Sequence, residues 1–161
     1  MFRVKLLFLL LFSSCCFALP ADNKAVIHII SDKWAYNYKT GMNEYTGHVI
    51  IDQGTTHLTA DRVTTKSNAQ HKIQEAIAYG LSQPAHYHTL AKTGDPETHA
   101  YAKIIKYYPI ESNVTFVQNV TLKQGENSFQ GPFILYNMQD QVVTVPSSKE
   151  GRAVLIYNPD K

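Results

Sequence analysis

Histidine is the residue type in this sequence whose spacing first suggests chemistry, because seven histidines are present. His86 and His88 are two residues apart, so on a β-strand their imidazoles would lie on the same face. Two such imidazoles can bind zinc when a third ligand comes from elsewhere in the fold. The sequence has no H-E-x-x-H motif, and the other five histidines stand among unrelated neighbours. A metalloenzyme built on this pair is one hypothesis, but we favour outward-facing polar side chains and predict no metal site and no cofactor.

Hydrolytic chemistry has little support in the sequence. The G-x-S-x-G turn that exposes a nucleophilic serine is absent. No pair of Asp, Glu or Ser residues has a spacing that indicates a shared site. Carboxylates at predicted strand ends, such as Asp52 and Asp61, are typical of turns and solvated positions. We therefore predict no catalytic residues and a protein that is not an enzyme.

The N-terminus has the pattern of a secretory signal peptide. Basic Arg3 and Lys5 precede the apolar run Leu6–Phe12, and small residues follow as far as Ala18. The apolar run is much shorter than the roughly 20 residues that span a bilayer, which argues against an uncleaved anchor. We predict cleavage after Ala18, export of the chain, and a single domain over residues 19–161.

Removal of residues 1–18 changes the charge and the cysteine content. The full chain has 15 Lys and Arg against 13 Asp and Glu, and the segment removes two basic residues and no acid. The remaining chain is formally neutral and its lysines are scattered. It therefore lacks the basic patch that a nucleic-acid-binding protein needs. Both cysteines, Cys15 and Cys16, also leave, so disulfides and thiolate metal sites are excluded. Lipoprotein processing at either cysteine is an alternative, although Phe12 is a poor first residue for a lipobox.

The rest of the chain alternates apolar and polar residues in short runs rich in β-branched and aromatic side chains, which predicts an all-β fold. Ala69–Leu81 is the best candidate helix, and Gly80 and Pro84 interrupt it. The predicted strands are Val26–Ile30, Lys33–Tyr38, Tyr45–Gln53, Thr56–Thr65, Ile73–Tyr79, Ala85–Leu90, Ala100–Tyr108, Val114–Lys123, Ser128–Asn137, Gln141–Val145 and Ala153–Tyr157.

An internal repeat organises these strands. A single fixed offset aligns the run Tyr45–Gly54 without gaps on Phe116–Gly125, and apolar residues coincide at every second position. Two half-copies that each have one apolar face must close over each other to form a core. The repeat therefore predicts a sandwich, barrel or roll made of two similar halves.

The alternation also predicts which side chains face inward. A plain sandwich core and a partly open apolar trough need the same pattern, so the period alone does not separate them. The predicted inner face consists of Trp34, Tyr36, Tyr45, Val49, Ile51, Leu58, Val63, Tyr87, Ile105, Tyr107, Phe116, Val120, Leu122, Phe129 and Ile134.

An ordered set of short segments resembles the periplasmic lipopolysaccharide-transport proteins of the LptA/OstA family. The resemblance covers essentially the whole chain after the signal peptide. The matching segments are Ile29–Asp32, Tyr45–Gly54, Leu58–Val63, Ala78–Gly80, Pro84–Tyr87, His99-Ala100 and Asn119–Gly125.

The resemblance implies a V-shaped antiparallel β-jellyroll of about sixteen short strands with an open inner trough. It implies that the inner-face residues bind the lipid A acyl chains of lipopolysaccharide. It also implies head-to-tail self-association and docking to the inner-membrane and outer-membrane components of the transport system. The implied docking edges contain Val26, Ile27, Ile29 and Ile30 at one end and Val154 and Ile156 at the other.

Two further alternatives stay open at this point. One is a closed β-sandwich that serves only as an interaction module of an envelope complex. The other is the membrane-anchored component of the same transport system, which shares the fold but keeps an N-terminal transmembrane helix.

Overall fold

A computed structural model of the chain describes residues 25–70, 72–90, 94, 96–140, 142–147, 149 and 151–158. The predicted signal peptide and both cysteines lie outside the described residues. Within the described ranges, no helix has the length and apolar character needed to span a bilayer.

The described part of the chain folds into twelve β-strands that pair antiparallel, so the all-β prediction is confirmed. The strands are β1 (Ile27–Ile30), β2 (Lys33–Asn37), β3 (Met42–Gln53), β4 (Thr56–Ser67), β5 (Ile73–Tyr79), β6 (Ala85–Thr89), β7 (Thr98–Ala102), β8 (Ile104–Tyr108), β9 (Asn113–Gln124), β10 (Asn127–Asn137), β11 (Val142–Thr144) and β12 (Val154–Ile156).

One predicted strand is wrong in its extent. The run Ala100–Tyr108 forms two strands, β7 and β8, which are separated at Lys103. The main-chain N–H of Lys103 donates to the carbonyl oxygen of Gln118 at 3.0 Å, and the two strands pair with opposite halves of β9. The apolar alternation continues across the break, and it therefore conceals the break in the sequence.

Four long strands divide the sheet into two layers. The strands β3, β4, β9 and β10 each pair with different short strands along their two halves. Layer 1 is completed by β2, β5, β8 and β11, and layer 2 by β1, β6, β7 and β12. Because each long strand contributes to both layers, each layer contains eight strand segments of the described chain. This arrangement is a β-jellyroll.

The long strands pass between the layers at irregular positions. The β3–β4 register shifts between Thr46 and Val49, where Gly47 and His48 have positive φ angles of 77° and 45°. The corresponding residues of β9, Gln118 and Asn119, have φ angles of 65° and 54°. Bulges of this kind bend a strand, so each copy of the repeat carries its own bend.

The repeat in the sequence is also a repeat in the structure. Under the alignment that places Tyr45 on Phe116, the first residues of β2, β3 and β4 coincide with the first residues of β8, β9 and β10. Positive φ angles recur under the same alignment in two turns, at Gly41 and Ser112 and at Gly54 and Gly125. The two halves therefore share strands, bends and turns.

Candidate binding site

The inner face of layer 1 contains a continuous row of apolar side chains that crosses the strands. Side chains directly opposite each other on paired strands lie on the same face of the sheet. The row consists of Trp34, Tyr45, Val63, Ala78, Ile105, Phe116 and Ile134, in that order from β2 to β10. It is buried from Val63 to Ile134, whereas Trp34 at the edge is 61 % exposed.

Layer 2 contains a matching row on its own inner face. This row consists of Ile29, Ile51, Leu58, Tyr87, Ala100, Leu122, Phe129 and Leu155, in that order from β1 to β12. The rings of Tyr87 in layer 2 and Phe116 in layer 1 lie edge to face, with centroids 5.8 Å apart. The two rows thus face each other across the interior.

All fifteen residues predicted for the inner face lie on inward rows of the two layers, but they differ in burial. Eight of them are fully buried and pack as core: Val49, Val63, Tyr87, Ile105, Phe116, Val120, Leu122 and Ile134. Five are partly buried against that core: Tyr45, Ile51, Leu58, Tyr107 and Phe129. Trp34 and Tyr36 are exposed on the edge strand β2.

A cavity of about 620 Å³ lies between the layers, and residues of both copies of the repeat line it. Its walls include five of the predicted residues: Ile51, Leu58, Tyr87, Ile105 and Tyr107. The edge-strand residues Ile27 and Ile29 also line it, so the cavity reaches β1. Apolar lining with a few polar groups is typical of sites for apolar ligands.

Sequence reasoning missed several walls of this cavity. Ile73 begins β5, and Pro109 and Ile110 lie in the turn after β8. Turn residues do not follow the period of two, so no signal indicated Pro109 and Ile110. Ile73 begins a strand that the sequence predicts with the same bounds, but it was not assigned to the inner face. Thr65 and Met138 also line the cavity.

The two copies of the repeat differ in side-chain size at two positions of the cavity wall. Leu58 and Thr65 line the cavity, and the corresponding residues of the second copy are Phe129 and Tyr136. Both aromatic side chains pack against the core. The second copy thus has larger side chains at the positions that correspond to these two cavity walls.

The groups around the cavity have little capacity for acid–base chemistry. Burial raises the pKa of the Tyr87 phenol well above its usual value, so its hydroxyl stays neutral. This hydroxyl donates towards the thioether sulfur of Met138 at 4.0 Å. Lys72 contributes the one positively charged group among the cavity walls of the described chain.

His86 and His88 lie on the outer face of layer 2, away from the cavity. They share one face of β6, as the spacing predicts, and His57 and His99 lie beside them on neighbouring strands. In the part of the chain that the structure describes, no group of three or more His, Cys, Asp or Glu has the arrangement of a metal site.

The strands of the predicted docking edges lie at opposite ends of layer 2. β1 pairs with β3 and β12 pairs with β10, and neither has a second partner among the described strands. Each edge has exposed apolar residues: Val26, Ile27 and Ile30 at one end and Val154, Leu155 and Ile156 at the other. Unpaired strand edges of this kind are available for pairing with another chain.

Comparison with known proteins gives the family. Residues 28–142 match the family described as LptA/(LptD N-terminal domain) LPS transport protein. Lipopolysaccharide export system protein LptH of Pseudomonas aeruginosa is 32 % identical over 131 residues, which cover 81 % of this chain and 74 % of LptH. Lipopolysaccharide export system protein LptA of Escherichia coli (strain K12) is 28 % identical over 145 residues, covering 90 % of this chain and 77 % of LptA.

A solved structure agrees with this assignment. The crystal structure of LptH, described as the LptA-homologous periplasmic component of the lipopolysaccharide transport device of Pseudomonas aeruginosa, superposes with a TM-score of 0.79 at 26 % identity. The match covers 87 % of this chain and 100 % of that one. The relatives are transport proteins rather than enzymes, in agreement with the absence of catalytic motifs in the sequence. The chain belongs to the LptA/LptD N-terminal domain family of lipopolysaccharide transport proteins.

Proposed function

We propose that this protein is a periplasmic bridge that holds the acyl chains of lipopolysaccharide between its two layers and passes the lipid from the inner-membrane to the outer-membrane complex. The observation that carries the proposal is the 620 Å³ apolar cavity between layers that are otherwise packed. Because the family transports lipopolysaccharide, we infer that lipopolysaccharide is the lipid that this cavity binds.

Burial of acyl chains provides enough free energy for binding without a charged site. Each methylene removed from water contributes about 0.8 kcal/mol. The walls Ile29, Ile51 and Leu58 are aliphatic and lie on one layer, opposite Ile105 of the other layer. Lys72 lies among the walls and offers a cationic partner for a phosphate of the lipid.

The inner rows support transfer along the molecule. Each row crosses the strands from one sheet edge towards the other, so its ends lie near the edge strands. If β1 of one copy pairs with an edge strand of the next, the rows of the two copies continue each other. The apolar surface would then extend beyond one molecule, and acyl chains could move along it without meeting water.

Edge pairing also defines the partners. β1 and β12 are short, apolar and exposed, and an added strand could satisfy their unpaired main-chain groups. We propose that copies of this chain join head to tail through these edges. The same edges would dock on the inner-membrane and outer-membrane components, because those components must present the first and last strands of the bridge.

Export precedes these steps in our proposal. Residues 1–18 would direct the chain to the periplasm and be removed after Ala18. N-terminal sequencing of the protein purified from the periplasm tests this, and a sequence that starts at Leu19 is expected. A chain that retains Met1 would favour the membrane-anchored component, and a lipid-modified Cys15 or Cys16 would favour a lipoprotein.

A closed interaction module is the second candidate, because most of the inner rows are fully packed. Titration with a fluorescent fatty acid or lipid A separates the two. We expect saturable binding that unlabelled lipopolysaccharide displaces. Failure of the folded protein to bind any lipid at micromolar concentration would instead favour the closed module.

A further inference from the structure

The outer face of layer 2 carries a feature that lipid transport does not require. The imidazoles of His57, His86, His88 and His99 lie against one another, and we refer to these four residues as the histidine stack. Ring centroids are 4.8 Å apart for His57 and His88, 4.9 Å for His88 and His99, and 5.3 Å for His86 and His99. The stack joins three neighbouring strands, β4, β6 and β7.

Few negative charges face the histidine stack. Asp52 bonds the ring of His57, and one carboxylate oxygen of Glu97 lies 3.4 Å from Nε2 of both His88 and His99. The flanking groups on adjacent strands are His28, which pairs with Asp52, and Lys123, which pairs with His99. Tyr101 stacks on His86 at 4.4 Å and is uncharged. Two carboxylates therefore face four imidazoles that have further basic groups on both sides.

Protonation of His86 is disfavoured in the folded protein. Burial lowers its pKa below the usual imidazole value, and the nearby His99 and His88 lower it further. Its Nε2 lies 3.1 Å from Nδ1 of His99, a hydrogen bond in which one ring must accept. A fully protonated imidazole has only donors, so protonation of both rings removes this bond.

The histidine stack lies on the outer side of the short β4–β6 pairing, which we refer to as the β4–β6 seam. β4 and β6 pair through three residue pairs only: His57 with His88, Leu58 with Tyr87, and Thr59 with His86. The two outer pairs direct histidines to the outside of layer 2, whereas the middle pair directs Leu58 and Tyr87 into the cavity. The histidines that can be protonated and the residues that line the cavity thus belong to the same three β4–β6 pairs.

We propose that the histidine stack is a proton-sensitive latch: acidification towards pH 5.5 loosens the β4–β6 seam and thereby opens the cavity wall formed by Leu58 and Tyr87. Like charges directly opposite each other on paired strands destabilise a sheet. The charge of an imidazole changes between pH 5 and pH 8, so acidification to pH 5.5 adds positive charge to the stack. The latch itself is a property of the lipid-free fold, and only its effect on lipid release rests on the proposed function.

Hydrogen exchange of the lipid-free protein tests the latch. Protection factors of residues 85–89, corrected for the intrinsic pH dependence of exchange, are compared at pH 7.5 and pH 5.5. We expect a loss of about 1.5-fold to fivefold at pH 5.5 in the wild type, the range that a cross-strand charge pair produces. Residues 127–130 of β10 are the internal control, because no histidine lies on that strand.

A variant without the titrating groups completes the test. The double variant His86→Gln, His88→Gln keeps polar outward side chains and should show no loss of β6 protection at pH 5.5. The single variant His86→Gln gives the same comparison if the double variant does not fold. The latch is overturned if β6 protection in the wild type is unchanged by pH, or if it falls equally in the variant.

A measurement of lipid release distinguishes failure of the latch from failure of the proposed function. Dissociation of a fluorescent lipid A analogue is followed at both pH values, and faster release at pH 5.5 is expected in the wild type alone. Exchange that depends on pH in a protein that binds no lipid would support the latch and contradict the proposed function. Lipid binding by a protein whose hydrogen exchange does not depend on pH would support the proposed function and contradict the latch.

Discussion

The main-chain N–H of Asp32 donates to the carbonyl oxygen of Gly47 at 2.9 Å, and at the corresponding positions of the second copy Lys103 donates to Gln118 at 3.0 Å. Asp32 lies between β1 and β2, and Lys103 lies between β7 and β8. Each hydrogen bond therefore joins the gap between two short strands to the bend of the long strand beside them. These two joints are the positions at which one layer becomes the other, and they give the two halves the same bend.

The first joint is sensitive to any side chain at Gly47. Its φ is +77°, and a Cβ there would lie 2.2 Å from Oδ2 and 2.9 Å from Cβ of Asp32. We expect Gly47→Ala to reduce the free energy of unfolding by about 2–4 kcal/mol, because steric overlap adds to the cost of the left-handed backbone. Urea denaturation measures the change.

Gly41→Ala is the matched control for this substitution. Gly41 has a similar φ of +66°, but the nearest atom to an added Cβ is 4.0 Å away. This variant should therefore show only the backbone cost, about 1 kcal/mol. Equal losses in the two variants would mean that Asp32 moves away freely and that the joint is not rigid.

The difference in side-chain volume between the repeats can be reversed by mutation. Leu58→Phe introduces the residue that the second half has at the corresponding position, Phe129. We expect the affinity for a fluorescent lipid to fall about tenfold because the ring occupies the cavity, with stability changed by less than about 1.5 kcal/mol. Phe129→Leu is the control: it should cost about 1 kcal/mol of stability and leave lipid binding near the wild-type level. Unchanged lipid affinity in Leu58→Phe would show that the lipid does not bind in this cavity.

Asp61 tethers the turn between β5 and β6. Its carboxylate accepts hydrogen bonds from the Leu81 N–H at 2.6 Å, the Ser82 N–H at 2.7 Å and the Ser82 hydroxyl at 2.9 Å. The bonds from Ser82, followed by the one from Leu81, lower the pKa of Asp61 below its usual value of 3.8. A carboxyl group whose pKa is lowered by folding contributes stability above its unfolded pKa and loses that contribution as the pH falls through the folded value.

We therefore expect Asp61→Ala to speed hydrogen exchange at Leu81 and Ser82 at neutral pH, by about tenfold. In the wild type, the same amides should lose protection only as the pH falls through the folded pKa of Asp61, which lies below the usual 3.8. Asp140→Ala leaves this carboxylate in place and should not affect the turn. Unchanged exchange at Leu81 and Ser82 in Asp61→Ala would show that the turn is held by other contacts.

In our proposal, head-to-tail association depends on the main-chain groups of the edge strands. Leu155 lies in the middle of β12 and is 59 % exposed. Replacement of Leu155 by Lys puts a charge on the apolar edge, one of the ways in which proteins block edge pairing. We expect the dissociation constant for self-association, measured by analytical ultracentrifugation, to rise about tenfold while the circular dichroism spectrum is unchanged. Thr121→Lys, on the central strand β9, is the control, and an equal effect of the two substitutions would argue against β12 as a docking edge.

The sequence predicts this fold well where side chains alternate and poorly where the chain bends. The internal repeat identifies β2–β4 and β8–β10 as copies because their apolar residues must meet in one core. The break at Lys103 was missed, since a main-chain hydrogen bond to Gln118 interrupts the strand without interrupting the pattern. The cavity walls Pro109 and Ile110 were missed because they lie in a turn.

Period-two alternation also gives the direction of a side chain without its burial. Trp34 and Phe116 lie on the same inward row, yet Trp34 is exposed at the sheet edge and Phe116 is fully buried at its centre. The histidine stack has a similar origin. The spacing places His86 and His88 on one face, but His57 and His99 reach them only through strand pairing distant in sequence.

The central claim is that acyl chains of lipopolysaccharide lie between the two layers, and crosslinking along β4 tests it most directly. A photoreactive amino acid is placed in turn at Leu58, which lines the cavity, and at Thr59, which is exposed on the outer face. The protein is irradiated in cells that transport lipopolysaccharide, and the captured lipid is detected by immunoblotting. The account predicts strong capture at Leu58 and little at Thr59. Equal capture at the two positions, or none at Leu58 in folded protein, would contradict it.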